Sequence, residues 1–259
     1  MSERRQVSRT RARLSGRARD VSAASIDARV AARDWERFEG ELDERGYALT
    51  GEILTGAECE ELIAMYDDRE RFRSRIVMER LSYGLGEYKY FAQPLPPLVE
   101  KMRGLLYQRL APIANRRSRA LGRNDSEFPP TLERFIDLCH RHGQERPTPL
   151  MLRYESGGYN CLHQDVYGEI AFPLQFTCTL SKRGRDFEGG ELLLVEQRPR
   201  AQSRGTAIVL DQGEGILFPN QFRPLKGSRG YYRVGVRHGV STITRGRRFS
   251  LGIIFHDAK

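Results

Sequence analysis

The sequence is poor in several residue types, and each shortage excludes a class of protein. Its 259 residues include four cysteines, far apart and without a CxxC pair, which argues against a disulfide scaffold and against a structural zinc cluster. No apolar run approaches the roughly 20 residues of a membrane-spanning helix, and no secretory segment follows Met1. We therefore expect a cytoplasmic protein without a membrane partner. Histidine is also scarce, with five in the chain, so a histidine-based metal site has few candidate ligands.

The charge of the chain is unevenly distributed. Hydrophobic residues make up 39% and charged residues 30% of the chain, with a net charge of +9. Seven arginines lie within residues 1–20, which weakens a nucleic-acid interpretation based on net charge alone. Residues 1–30 lack apolar periodicity, and we predict a basic disordered tail there. An organellar presequence is the less favoured interpretation.

Apolar periodicity divides the remaining residues, 31–259, into two parts of one predicted domain. Over residues 31–145 apolar positions recur at three- and four-residue spacing, which indicates supporting helices. Over residues 146–259 we predict eight short strands, separated by turns that contain glycine or asparagine and not by helices. This order predicts a mainly β fold, a barrel or a sandwich, with the helices packed on one face of it.

A histidine and an aspartate stand two residues apart in the stretch Leu162-His163-Gln164-Asp165. In an extended segment alternate side chains project to the same side, so His163 and Asp165 share a face. An imidazole and a carboxylate are two of the three ligands of a 2-His-1-carboxylate iron site. Such a pair also occurs often by chance, so the prediction needs a third ligand from elsewhere.

His238 is the best candidate for that third ligand. It lies in a segment where every second residue is apolar, so a strand would direct its imidazole into the barrel. His140 and His142 are expected to end a helix, where residues two apart face different ways. His256 is expected to fray at the chain end. A buried histidine that only packs in the core is the alternative interpretation of His238.

Arg248 and Ser250 begin the last predicted strand on one face. An arginine inside a barrel is costly unless it meets a carboxylate that it can bind in a bidentate pair. A keto-diacid chelating the metal would present such a carboxylate. The pattern is equally consistent with Arg247 and Arg248 in a solvated turn.

The ordered motifs resemble the signature of the Fe(II)/2-oxoglutarate-dependent dioxygenases. That signature is matched by His163-x-Asp165, His238 and Arg248-x-Ser250. The preceding Arg153-Tyr154 is similar to the AlkB-type alkylation-repair enzymes. Other stretches resemble a bacterial branch described as oxygenases acting on damaged DNA, among them Gly86-Glu87-Tyr88-Lys89-Tyr90-Phe91, Arg146-Pro147-Thr148-Pro149-Leu150, Glu196-Gln197-Arg198-Pro199-Arg200, Arg237-His238-Gly239-Val240-Ser241 and Gly252-Ile253-Ile254-Phe255-His256-Asp257. The resemblance covers residues 45 to 259.

The resemblance implies a double-stranded β-helix, or jelly-roll, core and an enzyme that hydroxylates a C–H bond with Fe(II), 2-oxoglutarate and O2. On an N-methylated base the hydroxymethyl product would release formaldehyde. The site residues implied are His163, Asp165 and His238 for the metal, and Arg248, Ser250 and Tyr154 for 2-oxoglutarate. AlkB-type enzymes have an asparagine two positions before the tyrosine that matches Tyr154. Leu152 stands at that position here, which loosens the tie to those repair enzymes.

The substrate is less well indicated than the iron chemistry. The aromatic segment 83–91 is either a lid that stacks an unpaired base or ordinary packing on the barrel rim. The arginines of 196–204 and 223–229 either contact phosphate or lie in solvated turns. Three functions stay open: oxidative demethylation of alkylated nucleic-acid bases, hydroxylation of a protein side chain or small metabolite, and a non-catalytic β-barrel binding module.

Overall fold

The computed structural model describes residues 24–123, 127–165 and 168–259. The α-helices there are α1 (Ile26–Ala31), α2 (Trp35–Arg45), α3 (Gly56–Ala64), α4 (Pro97–Ala120) and α5 (Leu132–Arg141). The strands are β1 (Ala48–Glu52), β2 (Phe72–Val77), β3 (Gly84–Leu85), β4 (Glu87–Phe91), β5 (Leu150–Glu155), β6 (Tyr159–His163), β7 (Leu174–Thr179), β8 (Phe187–Gly189), β9 (Leu192–Gln197), β10 (Arg204–Ile208), β11 (Glu214–Pro219), β12 (Phe222–Gly227), β13 (Gly230–Val240) and β14 (Ile243–Ile253). None of the helices in these ranges has both the length and the apolar character of a membrane span.

The strands form two antiparallel sheets with a cavity between them. The larger sheet has the order β1-β11-β7-β14-β5-β4-β2, with β8 paired to β14. The smaller sheet has the order β10-β9-β13-β6-β3, with β12 paired to β13. Side chains from both sheets line the cavity. The predicted jelly-roll core is confirmed.

The helices cover the outer face of the larger sheet. Phe176 of β7 and Leu251 of β14 are fully buried in one core with the apolar side of α4. Because side chains alternate along a strand, their neighbours Thr177 and Ser250 project to the opposite face and line the cavity. Each large apolar side chain buried in this way contributes about 1.5–3 kcal/mol. The predicted packing of the helices on one face is confirmed, and it fixes the strands that carry the site.

Buried polar contacts attach the end of the chain to α4. Arg103, which is almost fully buried, donates from Nη2 to the Asp257 carboxylate at 2.7 Å and from Nε to the Ile254 carbonyl at 3.1 Å. His140 lies at the end of α5, as predicted, and its Nε2 is 3.2 Å from the same carboxylate. The contacts hold the segment that follows β14 against the helices. Breaking a buried ion pair by removing one partner costs about 3–5 kcal/mol.

Three expectations about local structure were wrong. The predicted tail of residues 1–30 extends too far along the chain, because α1 begins at Ile26 and Arg29 binds the Glu58 carboxylate at 2.6 Å. Residues 1–23 lie outside the described residues. The charged segment 69–81, which we expected to be a helix or a loop, contains β2, an edge strand paired to β4. Ten strands, not eight, follow residue 146 in the described ranges. One of the two strands that were not predicted is β12, which contains Pro224. It lies at a sheet edge, where a strand tolerates proline, and such a strand shows no clear pattern of alternating apolar residues.

His256 is fully buried, so the expected fraying at the chain end was also wrong. Its Nδ1 accepts a hydrogen bond from the Phe172 amide at 3.2 Å. Burial, and then the positive charge of Arg103, lower the pKa of His256 from 6.5 to about 4. Between about pH 4 and pH 6.5 the folded protein therefore holds a neutral imidazole where the unfolded chain holds a charged one.

This pKa predicts a loss of stability in mild acid. Because the folded pKa is depressed, the stabilisation is present above pH 6.5 and is lost as the pH falls toward 4. The free energy of unfolding should drop by about 2 kcal/mol between pH 7 and pH 5 from this group. His256→Asn keeps an acceptor for the Phe172 amide and removes the titration. Urea unfolding of the metal-free proteins should show the variant losing less stability over this interval; equal losses would contradict the assignment.

Candidate active site

Three potential metal ligands meet at the junction of β6 and β13. His163 at the end of β6 and His238 of β13 are directly opposite each other in the antiparallel register. Asp165 follows β6 by two residues, and its two carboxylate oxygens lie 3.6 Å from His163 Nε2 and 3.1 Å from His238 Nε2. One donor atom from each residue falls within 4.8 Å of the others. The structure thus brings together the two nitrogens and one oxygen that the sequence singled out.

Neighbouring groups orient these ligands. His163 Nδ1 is 2.8 Å from the Cys161 carbonyl oxygen. The neutral ring therefore donates its proton from Nδ1 to this oxygen, and the lone pair of Nε2 is available to a metal. Burial, and then the neighbouring His238, lower the pKa of His163, which favours this neutral form. Gln164, between the two ligands, donates to the Val236 carbonyl at 2.9 Å and so ties the turn after β6 to β13.

The triad lies in a cavity of about 470 Å³ between the sheets. Its wall on the larger sheet is made by alternate residues of β5, β7 and β14. Its wall on the smaller sheet includes His238 and Val240 of β13. The Phe218 ring of β11 lies 4.9 Å from the His238 ring and closes one side of the metal end. The volume is that of a site for a small molecule.

Arg248 projects into this cavity from β14 and lacks an anionic partner. It is 3% exposed, donates to the Ser250 hydroxyl at 3.2 Å and donates to the Thr179 hydroxyl at 3.3 Å. Its Nε has no acceptor, and no carboxylate of a described residue lies within 4.0 Å of the guanidinium. Burial lowers the pKa of Arg248, a sign of the cost of holding this charge away from water. A ligand carboxylate would offset that cost.

The backbone beside Arg248 is built to admit its side chain. Gly190 has a φ of +65°, and a Cβ there would lie 2.3 Å from the Ile243 side chain and 3.0 Å from Arg248 Cδ. Only glycine accepts both the conformation and the close approach. Tyr154 of β5 is fully buried directly opposite Arg248 in the β-register, with its ring centroid 6.0 Å from the guanidinium. The interpretation of Arg248 as part of a solvated turn was wrong.

Three polar residues of β7 were missed: Gln175 and Thr177, which line the cavity, and Thr179, which accepts a hydrogen bond from Arg248. They form a row of alternate polar residues on one strand face. This alternation was a readable signal, since a polar row facing a barrel interior indicates a ligand site. Leu152 lies on the neighbouring β5 wall and adds only an aliphatic surface.

The aromatic segment 83–91 does not act as one unit, either as a lid or as packing on the barrel rim; its residues divide between the cavity and the core. Residues 87–91 are the strand β4, not a loop. Tyr83 and Tyr88 line the cavity, whereas Phe91 is fully buried in the core beneath the helices. Lys89 is buried and donates to the Tyr66 carbonyl at 2.6 Å, so it is not available to a ligand.

Comparison with known proteins decides the family. Residues 86–258 match a family of oxygenases described as catalysing oxidative methylation of damaged DNA. The chain belongs to this oxygenase family. Two uncharacterized proteins from different strains of Mycobacterium tuberculosis are each 49% identical to it over 168 residues, which is 65% of this chain and 72% of theirs.

The fold of this oxygenase is shared with solved structures. A prolyl-4-hydroxylase from Pseudomonas putida matches 87% of this chain and all of its own chain, with a TM-score of 0.51 and 13% identity. A prolyl 4-hydroxylase from Phytophthora capsici matches 88% of this chain and 64% of its own, with a TM-score of 0.52 and 15% identity. The family match confirms the prediction that this chain is an oxygenase, and the two solved structures share its fold. The alternative of a non-catalytic binding module was wrong.

Proposed function

We propose that this oxygenase uses Fe(II), 2-oxoglutarate and O2 to oxidise alkylated bases in nucleic acid. The observation that carries the proposal is a pairing within one cavity: a His-Asp-His set at one end and a buried arginine without a carboxylate at the other. A dicarboxylate that chelates a metal satisfies both ends at once. His163, Asp165 and His238 are the proposed metal ligands, and Arg248, Ser250 and Tyr154 the proposed 2-oxoglutarate contacts.

The chain supplies two imidazoles and one carboxylate, a ligand set that would suit ferrous iron and leave other positions open for ligands. Bound iron with its co-substrates supplies the oxidation of an unactivated C–H bond: one oxygen atom of O2 enters succinate as CO2 leaves, and the other enters the substrate. The residues of the chain hold and orient the reactants. The buried setting of Arg248 and Tyr154 also keeps water from the co-substrate.

The mouth of the cavity supports a flat, apolar substrate. Of the seven large hydrophobic residues exposed in the described ranges, five lie on β3, on β6 or in the turns beside them. They are Leu81, Tyr83, Leu85, Tyr159 and Leu162. Tyr83 is half exposed and also lines the cavity. Such a rim suits an extruded base, which needs aromatic and apolar surfaces for stacking.

Basic residues without acidic partners support a phosphate backbone along the β12–β13 hairpin. Residues 198–240 contain eight arginines and lysines but only two acidic residues, Asp211 and Glu214; one of the eight, Arg223, is buried and bound to Glu196. Lys226 and Arg229 in the β12–β13 hairpin are exposed, and no carboxylate of a described residue lies within 4.0 Å of either. Lys226 pairs with Tyr231 on β13, seven residues before His238, which is roughly 23 Å along the strand. Charged side chains free in this way are available to phosphates.

The test is formaldehyde release from N-methylated oligonucleotides, single- and double-stranded, across a salt series. We expect release that requires 2-oxoglutarate and weakens as salt rises. The double variant Lys226→Gln/Arg229→Gln should raise KM for the oligonucleotide. It should also make the slope of log affinity against log salt concentration shallower by about one for each phosphate contact that it loses. The matched control, Arg134→Gln/Arg141→Gln, removes two exposed arginines of α5 and should leave both unchanged.

Two outcomes would contradict the substrate assignment. The first is a wild-type enzyme that turns over 2-oxoglutarate but releases no formaldehyde from any oligonucleotide. The second is release that does not respond to salt. Either result would favour a protein side chain or a small metabolite as the substrate of the same site, and a screen that follows succinate production would then identify it.

A further inference from the structure

Gln175 of β7 is a buried amide outside the proposed metal ligands and the Arg248 cluster. It is 5% exposed and lines the cavity that holds the triad and Arg248. Its Nε2 is inaccessible to water and has no hydrogen-bond acceptor among the described residues. A buried donor without a partner is rare, because it loses its bonds to water and gains nothing in return. The arrangement indicates that a ligand supplies the acceptor.

The β-register places Gln175 at the metal end of the cavity. Gln175 pairs with Phe218 of β11, whose ring lies 4.9 Å from the His238 ring. Thr179, which binds Arg248, is four residues further along the same face of β7. At about 3.3 Å per residue, the two positions are roughly 13 Å apart along the strand. Gln175 and Arg248 therefore approach a ligand from opposite ends.

Near Gln175, the part of the cavity wall that β5 and β14 form is apolar. The lining residues there are aliphatic or glycine: Leu150 and Leu152 of β5, Gly252 of β14, and Ile254 just after β14. Thr177, next on the same face, already donates its hydroxyl to the Leu251 carbonyl at 3.0 Å. A polar ligand group at this end consequently meets the Gln175 amide beside a largely aliphatic wall.

We propose that the Gln175 amide donates a hydrogen bond to the 2-oxo acid end of 2-oxoglutarate, the end that chelates the metal. The inference rests on the proposed function, since it assumes 2-oxoglutarate as the co-substrate. Arg248 holds the distal carboxylate, and Gln175 fixes the chelating end against the triad. Two anchors at opposite ends leave the co-substrate a single orientation.

Gln175→Met tests the proposal, because methionine has a similar volume and no donor. We expect the dissociation constant of 2-oxoglutarate for the Mn(II)-loaded protein, measured by calorimetry, to rise roughly ten- to a hundredfold. The ligand-free variant should melt at the same or a higher temperature than wild type, because an unpaired buried donor has been removed. Gln175→Asn, which keeps the amide on a shorter side chain, should weaken binding less. Gln108→Met, at an exposed position of α4, is the matched control and should change nothing.

A second ligand shows which end Gln175 contacts. 2-Oxobutyrate has the same 2-oxo acid end but no distal carboxylate. Gln175→Met should weaken 2-oxoglutarate and 2-oxobutyrate by similar factors, whereas Arg248→Met should remove the preference for 2-oxoglutarate. Unchanged affinity for both ligands in Gln175→Met would overturn the proposal. A rise confined to KM for the oligonucleotide would also overturn it, and would assign the amide to the substrate.

Failure of this inference is distinguishable from failure of the proposed function. If wild-type protein with Mn(II) binds no 2-oxoglutarate, the proposed function is wrong whatever Gln175 does. If wild type binds it and Gln175→Met binds it equally well, the proposed function stands and only the role of Gln175 is wrong. A variant that melts lower and binds 2-oxoglutarate normally would show that Gln175 serves packing alone.

Discussion

Replacing His238 by alanine is expected to abolish turnover. The imidazole is one of three proposed metal ligands, and its Nε2 lies 3.1 Å from the Asp165 carboxylate. Its loss leaves only two ligands for the metal. Loss of an outer-shell partner alone costs about 10–100-fold in metal affinity or activity, and loss of a direct ligand should exceed that range. The measurement is succinate production together with the iron content of the purified protein. Both should fall in His238→Ala.

The matched control is His142→Ala, which removes an exposed histidine just after α5. Iron content and turnover of this variant should equal those of wild type. Melting curves of the metal-free proteins separate ligand loss from misfolding, since His238 also packs against Phe218. A folded His238→Ala protein that retains iron and turnover would remove this residue from the metal site.

Replacing Arg248 by methionine is expected to abolish 2-oxoglutarate binding at ordinary concentrations. Truncating one partner of a buried, hydrogen-bonded charge pair costs about 2–5 kcal/mol, a factor of roughly thirty to several thousand in affinity. The ligand-free protein should not lose stability, because the guanidinium is buried without an anion. Calorimetry with Mn(II)-loaded protein measures the first effect, and thermal unfolding of the ligand-free protein measures the second.

The adjacent Arg247 supplies the control for this experiment. It is exposed and pairs with Glu155 at 3.2 Å on the protein surface, so Arg247→Met should bind 2-oxoglutarate normally. An exposed pair of this kind contributes about 0–1 kcal/mol to stability. The proposed role of Arg248 would be wrong if Arg248→Met bound 2-oxoglutarate as wild type does, or if Arg247→Met lost binding to the same degree.

The sequence was sufficient to predict the residues of the site that obey strand alternation. Arg248 and Ser250 are two apart and share a face of β14 because extended backbone requires it, and His163 and Asp165, with the same spacing at the end of β6, come together as well. His238 could be selected because the other histidines fell outside strand patterns. These inferences depend on local geometry alone, which one sequence records well.

Features that depend on pairing between distant strands were not predictable in the same way. Thr179 contacts Arg248 because β7 and β14 are adjacent, and no local pattern gives that register. His256 is buried because the segment after β14 contacts helix residues more than a hundred positions earlier. The strand β2 has two arginines among its six residues, and at this sheet edge Arg75 pairs with Glu87; periodicity does not reveal such a strand.

The central claim is that one ferrous ion and one 2-oxoglutarate share the cavity between His238 and Arg248. Its most direct measurement is an anaerobic titration of the protein with Fe(II) and 2-oxoglutarate, followed by the visible charge-transfer absorption of a chelated 2-oxo acid. We expect the band to saturate at one iron per chain in wild type and to be absent in His238→Ala. A wild-type protein that develops no band, or a His238→Ala protein that develops the same band, would contradict the claim.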